Sequence, residues 1–404
     1  MTATASYQSS TSSAAVSGGR TRVMVVNDHL GWGNQINGVT RLFELWVSYL
    51  PADRYELVVC ILNNASGLAG GLEARGSRVL FLPRKKYDPT TAQALARAAR
   101  RERIDILHLQ GYRGTAYGKV AAWMTDLPTV IHYHDTSAYY PLAQRLSDRV
   151  LGRLGNVHVA VSRSVRACWA ARARLPEDRM RVLYNCVSRT EFPAPTPREV
   201  AESRRSLGAP DQARIVGSVT RLFPGKGTRF LIEAVPRVLE RCPAAWFVIV
   251  GDGPERRELQ AMVDASGLRE RVRFHGYAAR VRPLMAAFDV QVMTSSIEGG
   301  SPLPVLEAMS MAKPVIATDL VEVLEDGVSG LLIPPGDAGL LADRIVSVLA
   351  NTGLSSRLGR AGREAVAAFD VRKHVDELDR IYASLVPQCR PYGRPEPSWV
   401  RTMP

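Results

Sequence analysis

Ser295-Ser296-Ile297-Glu298-Gly299-Gly300-Ser301-Pro302-Leu303-Pro304-Val305-Leu306-Glu307-Ala308-Met309 is the stretch from which the rest of the chain can be read. Before it, Phe288-Asp289-Val290-Gln291-Val292-Met293 reads as a short buried strand; after it, Val305 to Met311 has the apolar density and helix formers of a packed helix. The stretch is therefore a strand-to-helix turn. Gly299 and Gly300 free the backbone to approach a ligand, and Ser301 and Pro302 suit a helix cap and first turn. Glu298 stands at the strand end and Glu307 about a turn into the helix. Free amides and the positive end of a helix dipole favour an anion, while carboxylates beside them can hydrogen-bond hydroxyl groups. Phosphate plus polyol is the chemistry of a sugar nucleotide; the bland alternative is a polar loop followed by a core helix.

Outward from this turn, short apolar runs alternate with helical segments. In the first half the runs are Val23 to Val26, Tyr55 to Leu62, Val79 to Leu82, Ile104 to Leu109, Thr129 to Tyr133 and Val157 to Val161, with helices over 39–50 and 91–103. In the second half they are Ile215 to Thr220, Trp246 to Val250, Val272 to Phe274, Pro314 to Thr318 and Gly330 to Ile333, with helices near 228–241, 255–265, 338–350 and 355–369. Such alternation predicts parallel, doubly wound sheets, an α/β fold. Between the halves, residues 191–200 (Glu-Phe-Pro-Ala-Pro-Thr-Pro-Arg-Glu-Val) read as an extended linker. The expected organisation is a disordered tail over 1–20, Rossmann-like domains over 21–190 and 201–370, and a Pro-rich tail over 389–404. Two such domains leave one cleft, faced by the carboxyl ends of both sheets.

A length of 404 residues is too great for one ordinary core, and 46% hydrophobic with 23% charged residues suits a globular protein. No run of about eighteen uncharged apolar residues supports a transmembrane helix, and the Ser-, Thr- and Ala-rich start lacks the marks of a secretory signal. Cys60, Cys168, Cys186, Cys242 and Cys389 are scattered, without a Cys-x-x-Cys pair, so a reducing cytoplasm fits. The net charge of +13 would suit nucleic acid, but only six of the 52 basic residues are lysine, the composition a GC-rich genome produces, so nucleic-acid binding is not inferred. Arg84, Lys85, Lys86, Arg97, Arg100, Arg101 and Arg103 oppose only Asp88 and Glu102. That cluster is either a solvated helix face or a surface for anionic lipid headgroups at the inner face of the membrane.

Three further segments bear on the cleft. Gly31-Trp32-Gly33 fails the dinucleotide fingerprint, whose third glycine would fall at Ile36. Gly217 to Gly227 fails the Walker pattern, which requires a glycine at Thr220 and a Ser or Thr at Gly227. Its Arg221 and Lys226 are separated by a short turn able to bring both cations onto one diphosphate, or they are solvated surface charges. His132, His134 and Asp135 end a first-half strand, with His132 in the phase of a sheet-packed residue.

In ordered succession these segments resemble the retaining glycosyltransferases of family 4, the glycogen-synthase and mannosyltransferase-like group, over about residues 22 to 388. Glu298 and Glu307 match that family's Glu-x7-Glu pair, one residue further apart here. Gly217-Ser-Val-Thr-Arg-Leu-Phe-Pro-Gly-Lys-Gly227 is similar to its Gly-Arg-Leu-x-x-x-Lys-Gly element, and Asn37-Gly38-Val39-Thr40-Arg41 to its Gly-Gly-x-x-Arg segment, with Asn37 for the first glycine. Phe274-His275-Gly276-Tyr277 resembles the segment that meets the nucleobase, where Tyr277 or Arg280 would offer a flat surface or a hydrogen bond. Ala317 to Val323 lacks the Gly-Gly-x-Pro that precedes the glutamate matched by Glu322.

The resemblance implies a GT-B fold, with a C-terminal helix from about Val371, taken to residue 388, crossing back to complete the first domain. It implies transfer of a sugar from a nucleotide-sugar donor to an acceptor hydroxyl with retention of configuration. Glu298, His134, Arg221 and Lys226 would be catalytic. Gly38, Arg221, Lys226, Gly276, Tyr277, Glu298, Gly299, Gly300, Ser301 and Glu307 would bind the donor, with Glu307 on the ribose. No Asp-x-Asp occurs, so no metal and no other cofactor is expected. The acceptor, a lipid-linked saccharide, oligosaccharide or natural product, would enter from the first half. The competing readings are a non-catalytic sugar-nucleotide-binding protein and a GT-B epimerase that needs no acceptor.

Overall fold

The computed structural model describes residues 19–32, 35–63, 67–85, 87–136, 155–297 and 299–386. Both expected tails fall largely or wholly outside these residues, as do Gly33, Lys86, Glu298 and Cys389.

Near-continuous apolar runs form strands because both faces of a parallel sheet are covered. In the first domain, β1 (Thr21–Asn27) is followed by a two-residue hairpin of β2 (Gly31–Trp32) and β3 (Gln35–Ile36), then α1 (Gly38–Tyr49), β4 (Tyr55–Ile61), the single turn α2 (Gly70–Glu73) and β5 (Arg78–Phe81). The chain continues through α3 (Thr90–Arg101), β6 (Ile106–Gln110), α4 (Tyr112–Thr125), β7 (Thr129–Tyr133), β8 (Val157–Ala160), α5 (Arg163–Ala173) and β9 (Met180–Val182). The parallel sheet has the order β5-β4-β1-β6-β7-β8-β9. Along β1, Val23 and Val25 pack with α1 on one face while Met24 and Val26 pack with α3 and α4 on the other.

The second domain repeats the plan with β10 (Arg214–Val219), α7 (Thr228–Arg241), β11 (Ala245–Val250), α8 (Arg256–Ala265), β12 (Val272–Gly276), the short α9 (Arg282–Ala286) and β13 (Val290–Met293). Then come α10 (Leu303–Ser310), β14 (Val315–Thr318), β15 (Leu331–Ile333), α11 (Ala338–Ala350) and α12 (Thr352–Ala365). Its order is β12-β11-β10-β13-β14-β15. In each sheet the chain reverses direction beside the first strand, between β1 and β6 and between β10 and β13. Ligands bind at such switch points, beyond the strands' carboxyl ends.

The last helix, α13 (Val371–Leu385), buries Val371, Val375, Leu378, Ile381 and Tyr382 in the first domain's core beside Phe43 and Trp46 of α1. The chain therefore crosses between domains twice, and the crossings touch: Val187 N–H donates to Phe369 O at 3.1 Å and Val371 N–H to Val187 O at 3.0 Å.

Two local expectations are corrected. The proline stretch is extended only as far as Thr196, which caps α6 (Pro197–Ser206) in a reciprocal box with Glu199. Pro197 occupies the first turn, where its missing N–H costs nothing. At the organising turn, α10 starts at Leu303 rather than Val305, and neither Ser301 nor Pro302 caps it with a side chain.

Candidate active site

A cavity of about 660 Å³ lies between the two sheets' carboxyl ends, within the roughly 300–1,000 Å³ typical of small-molecule sites. Of the residues singled out from sequence, Gly38, His134, Arg221, Lys226, Tyr277, Gly299 and Glu307 line it. Gly276, Gly300 and Ser301 do not line it, and Glu298 is outside the described residues. Arg280 lines a second cavity of about 570 Å³ that meets the first at Arg41 and Glu307.

The cations come from the loop between β10 and α7. Gly225 and Gly227 have φ of +86° and +68°, and a Cβ on Gly227 would collide with the Thr294 carbonyl. Glycine thus lets this loop press against the turn after β13, where Ser296 N–H donates to Gly225 O at 2.9 Å. Arg221 is exposed, its guanidinium 5.2 Å from the Phe223 ring centre. Arg221 and Lys226 share one wall of the cavity, and Lys226 lies just before α7, whose positive N-terminal end has no side-chain cap.

Glu307 is buried on α10, and burial raises its carboxyl above the ordinary value, opposed by Arg41 at 3.7 Å. Arg41 belongs to α1 of the other domain. Tyr277 also spans the cleft, its hydroxyl accepting from Ile36 N–H at 3.3 Å. Asn37, at the position of the family's first glycine, caps α1 through Thr40 N–H at 2.8 Å.

Gly299 and Gly300 also allow a close approach between the two domains. A Cβ on Gly299 would meet the His134 carbonyl at 2.2 Å, and one on Gly300, at φ +80°, would meet Ser162 Cβ at 2.5 Å. The pair lets one domain's turn pack on the other. Ser301 is likewise buried at this seam, donating to Val161 O at 2.9 Å and accepting from Asn185 N–H at 3.1 Å. Glu322 accepts from the N–H groups of Ser164 and Arg163 and from the Tyr184 hydroxyl, all first-domain residues.

On the first-domain side, His134 Nε2 lies 2.6 Å from Gln110 Oε1 and its ring stacks on His132 at 4.5 Å. Burial, reinforced by His374, lowers its pKa to about 3, so the ring is neutral. Sequence reasoning missed Asp28 and His29. Asp28 accepts from the N–H groups of Arg113 and Gly114 at the start of α4, and His29 is near enough to Arg221 that this cation, after burial, helps depress its pKa. Both follow β1 directly, and that position beside the switch point was the available signal.

Residues 36–191 match the model of Glycosyltransferase Family 4, and residues 213–351 match that of the Glycosyl transferases group 1. A lipopolysaccharide core biosynthesis glycosyltransferase of Rhizobium meliloti is 37% identical over 195 residues, 47% of this chain and 55% of that protein. A phosphatidyl-myo-inositol mannosyltransferase of Mycobacterium leprae is 27% identical over 70% of this chain and 74% of its own. The chain spans little more than half the length of the first three curated relatives it matches. Among solved structures, Anabaena HepE in complex with UDP-glucose superposes with a TM-score of 0.80 at 23% identity, over 91% of this chain and 100% of that one. With one match on each domain, in order, over two facing Rossmann-like sheets, the chain belongs to the family 4 glycosyltransferases of the GT-B fold.

Proposed function

We propose that this protein transfers a sugar from a nucleotide-sugar donor to an acceptor hydroxyl, with retention of configuration and without a metal. The observation that carries this reading is the wall on which Arg221 and Lys226 meet, just ahead of the uncapped start of α7, with Glu307 lining the same cavity. In this reading the diphosphate lies on the two cations and the helix N-terminus, and Glu307 accepts from the ribose hydroxyls. The sugar points toward His134, with Glu298 and the Gly299 backbone as its other partners. As the glycosidic bond breaks, negative charge grows on the leaving phosphate, and the cations stabilise that charge more than the ground state. The leaving oxygen takes the acceptor's proton while the acceptor adds to the same face. Gly276 supports the nucleobase contact of Tyr277 through backbone shape: it has φ +85°, and its carbonyl accepts from Gly251 N–H.

The acceptor would enter beside Asp28, His29 and Tyr112 in the first domain. No helix among the described residues is long and apolar enough to cross a membrane. Arg97, Arg100 and Arg101 on α3 and the exposed Trp123 on α4 support a peripheral contact with anionic lipid, which would suit a lipid-linked acceptor at the inner face of the membrane.

The test is a thermal-shift panel of UDP-, GDP-, ADP- and TDP-sugars and free diphosphates, with UDP-glucose first and a chelator throughout. Stabilisation by one donor, lost in Glu307→Ala and Arg221→Ala, supports the reading. Donor stabilisation without hydrolysis or transfer to any acceptor would favour a binding protein, and no stabilisation by any nucleotide would overturn the reading.

A further inference from the structure

The first domain contains a file of aromatic and imidazole rings running from α13 to the cleft. Trp46 Nε1–H donates to His374 Nε2 at 2.9 Å, so His374 carries its proton on Nδ1 and donates it to Tyr184 O at 2.8 Å. Beside this pair, the Tyr382 hydroxyl lies 2.7 Å from His108 Nδ1, and His108 Nε2 lies 3.2 Å from His132 Nδ1. The rings of His108 and His132 are 5.4 Å apart and nearly parallel, and His132 stacks in turn on His134.

Either direction of donation leaves one proton of the file unpaired, on Tyr382 or on His132, and only His132 lines the cavity where a ligand could accept it. Tyr382 is fully buried, and among the described residues its hydroxyl has no other hydrogen-bond partner. If His108 donated to it, the phenolic proton would be left buried without an acceptor. Tyr382 therefore donates to His108 Nδ1, and His108 donates from Nε2 to His132 Nδ1. His132 must then hold its own proton on Nε2. That atom is buried without a hydrogen-bond partner, on a residue that lines the cleft cavity.

We propose that His132 presents Nε2–H as a hydrogen-bond donor to a hydroxyl oxygen of the transferred sugar, with Tyr382 and His108 as positioning residues that set its tautomer. The inference rests on the nucleotide-sugar reading for the identity of the ligand, but not for the tautomer. Burial keeps both rings uncharged at neutral pH, with His108 lowered to about 3 and His132 well below its usual value. A neutral donor matches a sugar hydroxyl better than a phosphate, whose charge is met on the opposite domain by Arg221 and Lys226. The sheet phase that points His132 inward is thus used for binding as well as packing.

The experiment is ¹⁵N NMR of the full chain labelled at histidine, with His132 assigned by loss of its signal in His132→Gln. The expected wild-type state is the Nε2–H tautomer, which Tyr382→Phe should convert to a mixture. The nucleotide sugar from the panel that most raises the melting temperature should move the His132 Nε2 resonance, and its free diphosphate should not. His132→Leu should weaken that sugar's binding about tenfold relative to the diphosphate, the loss of one neutral hydrogen bond, while His132→Gln, which keeps an N–H in reach, should retain most of it. An Nδ1–H tautomer, or one untouched by Tyr382→Phe, overturns the relay whatever the ligand does. A bound sugar nucleotide that leaves the resonance unmoved overturns the sugar contact alone. Failure of every nucleotide sugar to bind overturns that contact together with the reading beneath it.

Discussion

Glu322 of the second domain accepts a 2.7 Å hydrogen bond from the backbone N–H of Ser164 in the first. Its other oxygen accepts from Arg163 N–H and from the Tyr184 hydroxyl, each at 3.0 Å. A helix N-terminus ordinarily finds its capping acceptor on the residue just before it. Here α5 has that cap in Ser162 and a second, charged one supplied by the other domain. The cleft is closed by an anion on a helix dipole.

Removing that anion should open the cleft. Glu322→Ala should enlarge the radius of gyration in small-angle scattering and weaken donor binding about tenfold, the scale of one charge-assisted hydrogen bond. Burial works to raise this carboxyl, yet the hydrogen bonds from Ser164, Arg163 and Tyr184 outweigh it and hold the pKa below its ordinary value. The contact is therefore fully stabilising above the ordinary glutamate pKa and is lost as pH falls through the lower folded value. The difference in melting temperature between wild type and Glu322→Ala should shrink below about pH 4.5. A constant difference down to pH 3 would contradict the assignment.

Gly300→Ala should act at the same seam by steric means. The backbone at φ +80° costs alanine about 1 kcal/mol, and the added carbon would fall on Ser162. Gly299→Ala would press on the His134 carbonyl. Both variants should keep wild-type circular dichroism while losing donor affinity at least about tenfold, as closure is forced apart. Unchanged affinity in both would show that the seam yields.

Acid should destabilise the first domain before carboxylates protonate. Burial lowers His108 and His134 to about 3 and His158 and His374 to about 4, with His132 lower still. The unfolded chain protonates these rings near pH 6.5 and the folded chain does not, so unfolding takes up protons between these values. Stability is whole above about pH 6.5 and falls steadily toward pH 4. Urea midpoints at pH 7.5, 6.0 and 5.0 should decline in that order, and a flat series would contradict the neutral cluster.

Arg221→Ala and Lys226→Ala should each lower kcat by two or more powers of ten, with a much smaller change in KM. The charge they meet develops as the bond breaks. Near-normal turnover in either folded variant would remove that residue from the proposed chemistry.

Much of this architecture was legible in the chain itself. Apolar runs such as Val23 to Val26 and Trp246 to Val250 form parallel strands through local pattern alone, and Arg221 and Lys226 lie five residues apart on one turn. Periodicity and short spacings report what neighbouring residues do together, and they determined the doubly wound sheets and the cation pair. Asn37 was read only as a replaced glycine, although its cap acts within three residues and was open to local reading.

What the tertiary structure decided is everything that depends on two distant segments meeting. Ser301 looked like a helix cap until Asn185 and Val161 were brought against it, and only the fold shows that Gly299 and Gly300 also make room for His134 and Ser162 of the other domain. Glu322 was a motif residue with its loop missing; the first turn of α5 gave it a partner. His132 became more than a packed residue when α13 brought Tyr382 to His108. A hydrogen bond or a Cβ clash depends on separations of tenths of an ångström, and across more than a hundred residues of chain those are set by the packing of both domains rather than by local spacing.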